Sequence, residues 1–230
     1  MGYLKDLIDS IFSDVGVFDA VRVTLILAFS STAISSALGI LFGLMLEQLR
    51  FPGKRLVVRI NRTMLGIPPV VVGLIVYLLI MKRGPLGSLS MLFTIKGMVI
   101  AQVIIITPII SSMVYSYAVK AAPAIRVFAT TMGASKFQKG ILIIKEMKNE
   151  IYFAIITGFG RSISEVGAVM LVGGNIKDRT RTMTTAIALL KSQGIYTEGV
   201  TLGILLLILA FLLQWASEFL QKKEVDYENY

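Results

Sequence analysis

The sequence predicts an all-α integral membrane protein with five transmembrane helices. Three observations carry that class. Of the 230 residues, 55% are apolar, and the mean hydropathy is +0.78, too apolar for an ordinary soluble domain. Five apolar segments (20–47, 60–81, 97–119, 151–172 and 199–221) reach the roughly 20 residues that cross about 30 Å of hydrocarbon. The net charge of +9 comes from basic residues that mostly flank those segments, as topology signals and anionic-lipid contacts do; no nucleic-acid partner is expected.

Residues 1–19 predict an amphipathic lead-in helix, with Leu4, Leu7, Ile8, Ile11, Phe12 and Val15 at helical spacing between Asp6, Asp9 and Asp14. Its mixed charges and the long apolar run after it do not fit a cleavable signal peptide. The first span holds Ser31, Ser35, Gly39 and Gly43 at four-residue intervals, a small-residue ladder that lets another helix come close. In the second, Asn61 and Arg62 precede Pro68 and Pro69, which remove two backbone donors and disturb the helix. Such a break is tolerated where protein or a water-filled cavity re-satisfies the freed carbonyls. A packing kink and a pathway-lining bend fit equally. The same two readings apply to Pro108 in the third span, amid Gln102, Thr107, Ser111 and Ser112.

The polar segment 120–150 has helical periodicity of its own. Phe137, Ile141, Ile144 and Met147 alternate with Lys136, Lys139, Lys145 and Lys148. Gly133 followed by Ser135 reads as a helix stop and a new N-cap, so two short amphipathic helices joined at Gly133 are expected.

The fourth span carries Arg161 and Glu165, four residues apart and hence on one helical face. A central charge in hydrocarbon costs roughly 2.5–3.5 kcal/mol on insertion scales, so a chain that keeps two is using them. They form either a structural ion pair or, with Gly158 and Ser162, a polar stripe lining a pathway, whose glycines let two copies approach. Arg161, Ser162, Ser164 and Asn175 suit an anion, whereas Glu165 would repel one and reads as a gate or packing partner. The fifth span ends at Trp215, an interfacial anchor, before Lys222, Lys223 and a tail over 222–230. Basic residues are more numerous on the side of 120–150. That side is expected to be cytoplasmic, with the N-terminus outside and the C-terminus inside. One membrane domain thus covers 20–221.

There is no cysteine and no histidine. Thiol nucleophiles, thiolate metal sites and imidazole bases are excluded, and no catalytic or metal-binding residue is assigned.

The order of five spans, a helical loop with a central glycine and a polar, Gly-rich fourth span resembles the permease subunit of an ABC importer. Those permeases carry EAA, three residues, Gly, nine residues, Ile, one residue, Leu-Pro. Placed on Gly133, the pattern is matched by Ala129, Gly133 and Ile143, but Val127, Phe128, Lys145 and Glu146 depart from it. The segment SEVGAVMLVGGNIKDRTRTMTTAIAL, 164–189, is more specific. It is similar to the G-E-F/V-G-A, Gly-Asn and T-x-T elements of permeases for molybdate, sulfate and tungstate, and looks most like the tungstate branch. IPPVVVGL, 67–74, is similar to their Pro-Pro-x-V-x-G element. The resemblance covers roughly residues 20 to 220.

It implies a type I importer permease fold, working as a homodimer with the pathway on its two-fold axis. The implied partners are two copies of a cytoplasmic ABC ATPase and an extracytoplasmic oxyanion-binding protein, and the mechanism is alternating access. No GxxxxGK[ST] pattern occurs; Gly53-Lys54 comes nearest, with Gln48 in place of the first glycine. No cofactor is therefore expected in this chain, ATP and Mg being held by the ATPase. The implied coupling surface is Val127, Phe128, Ala129, Thr130, Met132, Gly133, Ala134, Ser135 and Lys136. The pathway or gate set is Pro68, Pro69, Arg161, Ser162, Ser164 and Glu165. Asn175, Lys177, Arg179, Thr180 and Arg181 form either an outer contact for the anion or binding protein or a solvated loop. An ATP-independent secondary transporter would instead be expected to show inverted repeats, and EVGAVMLVGGN has no second copy. A membrane scaffold has no use for a polar fourth span.

Overall fold

The computed structural model describes residues 17–228, with side chains described to 215. Most of the expected lead-in helix lies outside the described residues, and 17–19 belong to the first helix. Among the described residues there are nine α-helices and no strand. They are α1 (Val17–Gln48), α2 (Lys54–Thr63), α3 (Pro69–Ile80), α4 (Ile95–Thr131), α5 (Lys136–Glu146), α6 (Lys148–Ser164), α7 (Gly167–Gly173), α8 (Met183–Ser192) and α9 (Tyr196–Glu228).

Three helices, α1, α4 and α9, are each long and apolar enough to cross a membrane. The second and fourth expected spans are broken pairs, α2 with α3 and α6 with α7, so five spans are reached only when each pair counts as one. The double proline explains the first break. Pro68 is extended (φ −61°, ψ 123°), as a residue before proline prefers, and Pro69 opens α3 at a position whose N–H has no intrahelical partner to lose. Pro108 behaves otherwise and stays inside α4, as does Pro123. No separate short helix precedes Gly133, because α4 runs on to Thr131. Nor does a helix end set off a tail at 222, since α9 continues to Glu228.

The chain divides into two compact units. Of the described residues, the first comprises 17–31, Pro68–Val103 and 160–228. Val17 and Ala20 of α1, Met183, Ala186 and Leu190 of α8, and Leu202 of α9 form one buried cluster in it. Elsewhere in this unit α3 and α7 meet almost backbone to backbone. A Cβ on Gly73 would stand 2.6 Å from the Ala168 Cα, and one on Gly167 would stand 2.4 Å from the Val70 Cγ2. The second unit comprises Thr32–Ile67 and Ile104–Phe159. Its core joins Leu44, Ile106, Ile110, Val114, Ile143, Met147 and Ile151. The small-residue ladder is used here: a Cβ on Gly39 would lie 2.8 Å from the Ile110 Cβ, so α4 is the helix that approaches α1. Gly158 likewise faces Ile106 and Ile110 of its own chain, which accounts for its small size without a second copy.

Candidate functional site

Arg161 and Glu165 do meet, but not as two residues of one helix. Arg161 is in the last turn of α6, whereas Glu165 lies in the break before α7. The Arg161 Nη2 donates to the Glu165 Oε2 at 2.9 Å, and the Glu165 side chain is 5% exposed against 34% for Arg161. The other carboxylate oxygen, Oε1, accepts the Ala168 N–H at 3.1 Å. That amide lies in the first turn of α7, whose N-cap residue, Val166, offers no side-chain acceptor. Glu165 therefore supplies the missing cap and places negative charge at the positive end of the helix dipole. Its backbone carbonyl is also held, accepting from the Thr184 Oγ1 at 3.0 Å. The bend of 59° between α6 and α7 is thus fixed by one residue through three contacts.

Behind Arg161 lies a buried polar lock. The Gln102 Nε2 donates to the Ser162 carbonyl at 3.1 Å, and its Oε1 accepts from the Ser31 Oγ at 2.6 Å and from the Ser162 hydroxyl. This ties α1, α4 and α6 together within the first unit. Ser162, expected as an anion contact, is committed internally. Ser164 is exposed, with its hydroxyl donating to the Arg161 carbonyl at 3.1 Å. Pro68 is exposed and Pro69 half-buried. Of the expected gate set, Arg161, Ser164 and the two prolines keep accessible surface.

The segment after α7 is a tight, self-bonded turn. Asn175 and Asp178 take positive φ (51° and 59°), and the N–H groups of Arg179, Thr180 and Arg181 all donate to the Ile176 carbonyl. Thr180 is 2% exposed, and its hydroxyl donates to the Gly173 carbonyl at 2.6 Å. It is a structural pin, so the expectation of an external contact there is corrected. The Arg181 Nε donates to the Asn175 Oδ1 at 3.3 Å, and Lys177 and Arg179 lie at exposed positions. A buried threonine network follows. Thr182 caps α8 in a reciprocal box with Thr185, and the Met183 N–H donates to the Thr24 Oγ1 at 3.0 Å. Thr24, Gln102, Thr182 and Thr184 were not singled out from sequence as site residues. Their signal was polarity within apolar runs, which does not say who the partner is.

In the second unit, α4 ends at a Schellman turn. Gly133 has φ 75°, the Ala134 N–H donates to the Ala129 carbonyl at 2.9 Å, and the Gly133 N–H donates to the Thr130 carbonyl at 3.0 Å. Ser135 then opens α5 with a capping box, its hydroxyl accepting the Gln138 N–H while the Gln138 Oε1 accepts the Ser135 N–H. Ala129 is buried, but Val127, Phe128, Met132 and Phe137 are 61–77% exposed, with Thr130, Lys136 and Ser135 beside them. A bidentate ion pair from Arg126 to Glu47 holds the base of this turn to α1. Large exposed apolar side chains grouped around a fixed turn mark an interaction surface.

Comparison with known proteins agrees with these features. A permease protein of a tungstate uptake system from Peptoclostridium acidaminophilum (TupB) is 38% identical over 210 residues, covering 91% of this chain and 92% of that protein. A probable anion ABC transporter permease protein from Haloferax volcanii is 37% identical over 193 residues, covering 81% and 83%. In fold the chain is similar to a bacterial ABC transporter involved in the import of the acidic polysaccharide alginate, with a TM-score of 0.77 at 18% identity over 95% of this chain and 83% of that one. Residues 39–225 match the profile of the binding-protein-dependent transport system inner membrane component, and the chain therefore belongs to that family, the permeases of ABC importers.

Proposed function

We propose that this chain is the permease subunit of an ATP-driven importer for a tetrahedral oxyanion, tungstate, and that it works as a homodimer by alternating access. The observation that carries the substrate is the 38% identity to a tungstate uptake permease over nine-tenths of both chains. The segments that pointed to that class in sequence, 67–74 and 164–189, supply the residues that pack α3 on α7 and set the α6–α7 bend. In this reading the turn at Gly133 docks in a cytoplasmic ATPase, which holds ATP and Mg. The N-terminus is outside, and Lys177 and Arg179 face the oxyanion-binding protein. Arg161, paired with Glu165 but one-third exposed, is the cation nearest the pathway, and Glu165 holds the bend rather than the anion.

The test is reconstitution with the ATPase and binding protein. Tungstate-loaded binding protein is expected to stimulate ATP hydrolysis and drive uptake into vesicles. Uptake without ATP would reject the importer reading. Stimulation by sulfate or molybdate but not tungstate would reject the substrate.

A further inference from the structure

α2 carries a charge pattern for which the transport reading has no use. Its sequence, KRLVVRINRT, places Lys54 and Arg55 in the first turn with no acidic residue there and no side-chain cap. Cations at a helix N-terminus oppose the helix dipole. Asn61 fixes how the helix lies: it is 7% exposed, its Nδ2 donates to the Ser112 Oγ at 2.8 Å, and its Oδ1 accepts from the Ser111 Oγ at 3.0 Å. With Asn61 turned onto α4, Arg50, Lys54, Arg55, Arg59 and Arg62 gather around an open cavity of about 950 Å³. No carboxylate lines it, and the acid that precedes it in the chain, Glu47, is already paired with Arg126. Phe51, Val58 and Tyr115 give the cavity an apolar wall, and the Arg62 guanidinium lies 6.0 Å from the Tyr115 ring centroid. On the opposite side of α2, Leu56 and Ile60 stand one turn apart and more than half exposed. A helix that is basic on one side and apolar on the other lies in the membrane–water boundary.

Five like charges line one space with no carboxylate among them, and two of them, Lys54 and Arg55, oppose the helix dipole, an arrangement that favours a counter-anion. We infer that the cavity is a binding site for the phosphate headgroup of an anionic phospholipid. Basic pockets beside spanning helices recognise such headgroups. The chemistry recognised is a tetrahedral phosphate-type oxyanion, which a free inorganic anion shares. The lipid is favoured by the apolar wall and by the Leu56–Ile60 stripe, neither of which a small ion would use. The inference requires α2 at a membrane boundary and is independent of what the chain transports.

The full-length protein, purified in mixed micelles containing phosphatidylglycerol and phosphatidylcholine, is analysed for retained lipid by native mass spectrometry. It is expected to keep phosphatidylglycerol selectively. Arg55→Gln with Arg59→Gln should weaken that retention roughly tenfold or more. Lys82→Gln with Arg83→Gln, which removes the same charge elsewhere, should leave it unchanged. Arg55 and Arg59 are exposed, so folding is expected to survive; Arg59→Gln alone gives the same reading at smaller size if it does not. Equal retention of the two lipids, or equal loss in both double variants, would overturn the assignment. Stabilisation of the lipid-free protein by sodium sulfate, abolished by Arg55→Gln with Arg59→Gln, would give the cavity to a free oxyanion instead.

Discussion

Both carboxylate oxygens of Glu165 are occupied, one by Arg161 and one by the Ala168 amide. The two contacts separate in a mutant series. Arg161→Ala leaves a buried carboxylate without its cation, a loss of about 1–3 kcal/mol. Adding Glu165→Gln removes the stranded charge and keeps an acceptor for Ala168, so most of the loss should be recovered. Adding Glu165→Ala instead orphans that amide, a cap loss of about 0.5–2 kcal/mol, and should recover less. Thermal melting in detergent ranks the three, and equal recovery by Gln and Ala would show that the cap contributes nothing. A second contrast lies on α1. Ser31 is hydrogen-bonded to Gln102 and Ser162, while the buried hydroxyls of Thr32, Ser35 and Ser36 have no partner among the described residues. Ser31→Ala should destabilise by roughly 0.5–1.5 kcal/mol and Ser35→Ala by less than that, measured in the same melts. The meeting of Arg161 with Glu165 was legible from their spacing, but the role of Glu165 was not. A spacing of four says that two side chains can touch, and gives no sign that the helix ends between them.

The elements that surprised were the broken ones. A double proline announces a disturbance in α-helix, but only the packed chain shows a stop and restart with α3 seated on α7. The contact is close enough to test. The ideal Cβ of Gly167 lies 3.5 Å from the Val70 Cβ, within reach of a disulfide, and replacing Val70 removes the Cγ2 that a side chain at 167 would strike. Val70→Cys with Gly167→Cys should therefore oxidise readily in this cysteine-free chain. Helices packed this tightly move as one body, so uptake is expected to persist in the oxidised form. Arrest that reverses on reduction would mean that α3 and α7 part during transport. At the other turn, Gly133 takes a φ of 75° that a branched side chain resists. Gly133→Leu should cost about 1 kcal/mol of folded stability, reduce ATPase association and lose coupled uptake. Wild-type uptake by that variant would remove the turn from the mechanism. The helix stop and restart there were readable because Gly and Ser each have a local backbone reason for their place. The continuation of α4 through 120–131 was not, since periodicity does not mark where one helix becomes another.

For the molecule as a whole, membrane class and family were the most legible features, because hydropathy and a long specific segment integrate over many residues. Side assignment rests on a modest bias of basic residues and can be measured directly. With no native cysteine, single substitutions Arg179→Cys and Lys145→Cys, both at exposed positions, report opposite faces. An impermeant thiol reagent should label position 179 from outside intact cells and position 145 only after lysis; the reverse result would invert the topology. One more consequence follows from the turn at Gly133. Its backbone hydrogen bonds are closed by its own Schellman pair and capping box, so nothing there waits for a partner to fold it. Ordering a residue from coil costs about 1–2 kcal/mol, and a surface already ordered escapes that penalty on assembly. In the proposed docking, apolar contact at Val127, Phe128 and Met132 would be converted to affinity with little entropic loss. The speed of that assembly would be set by collision and charge steering, as for two finished parts, rather than by folding on arrival.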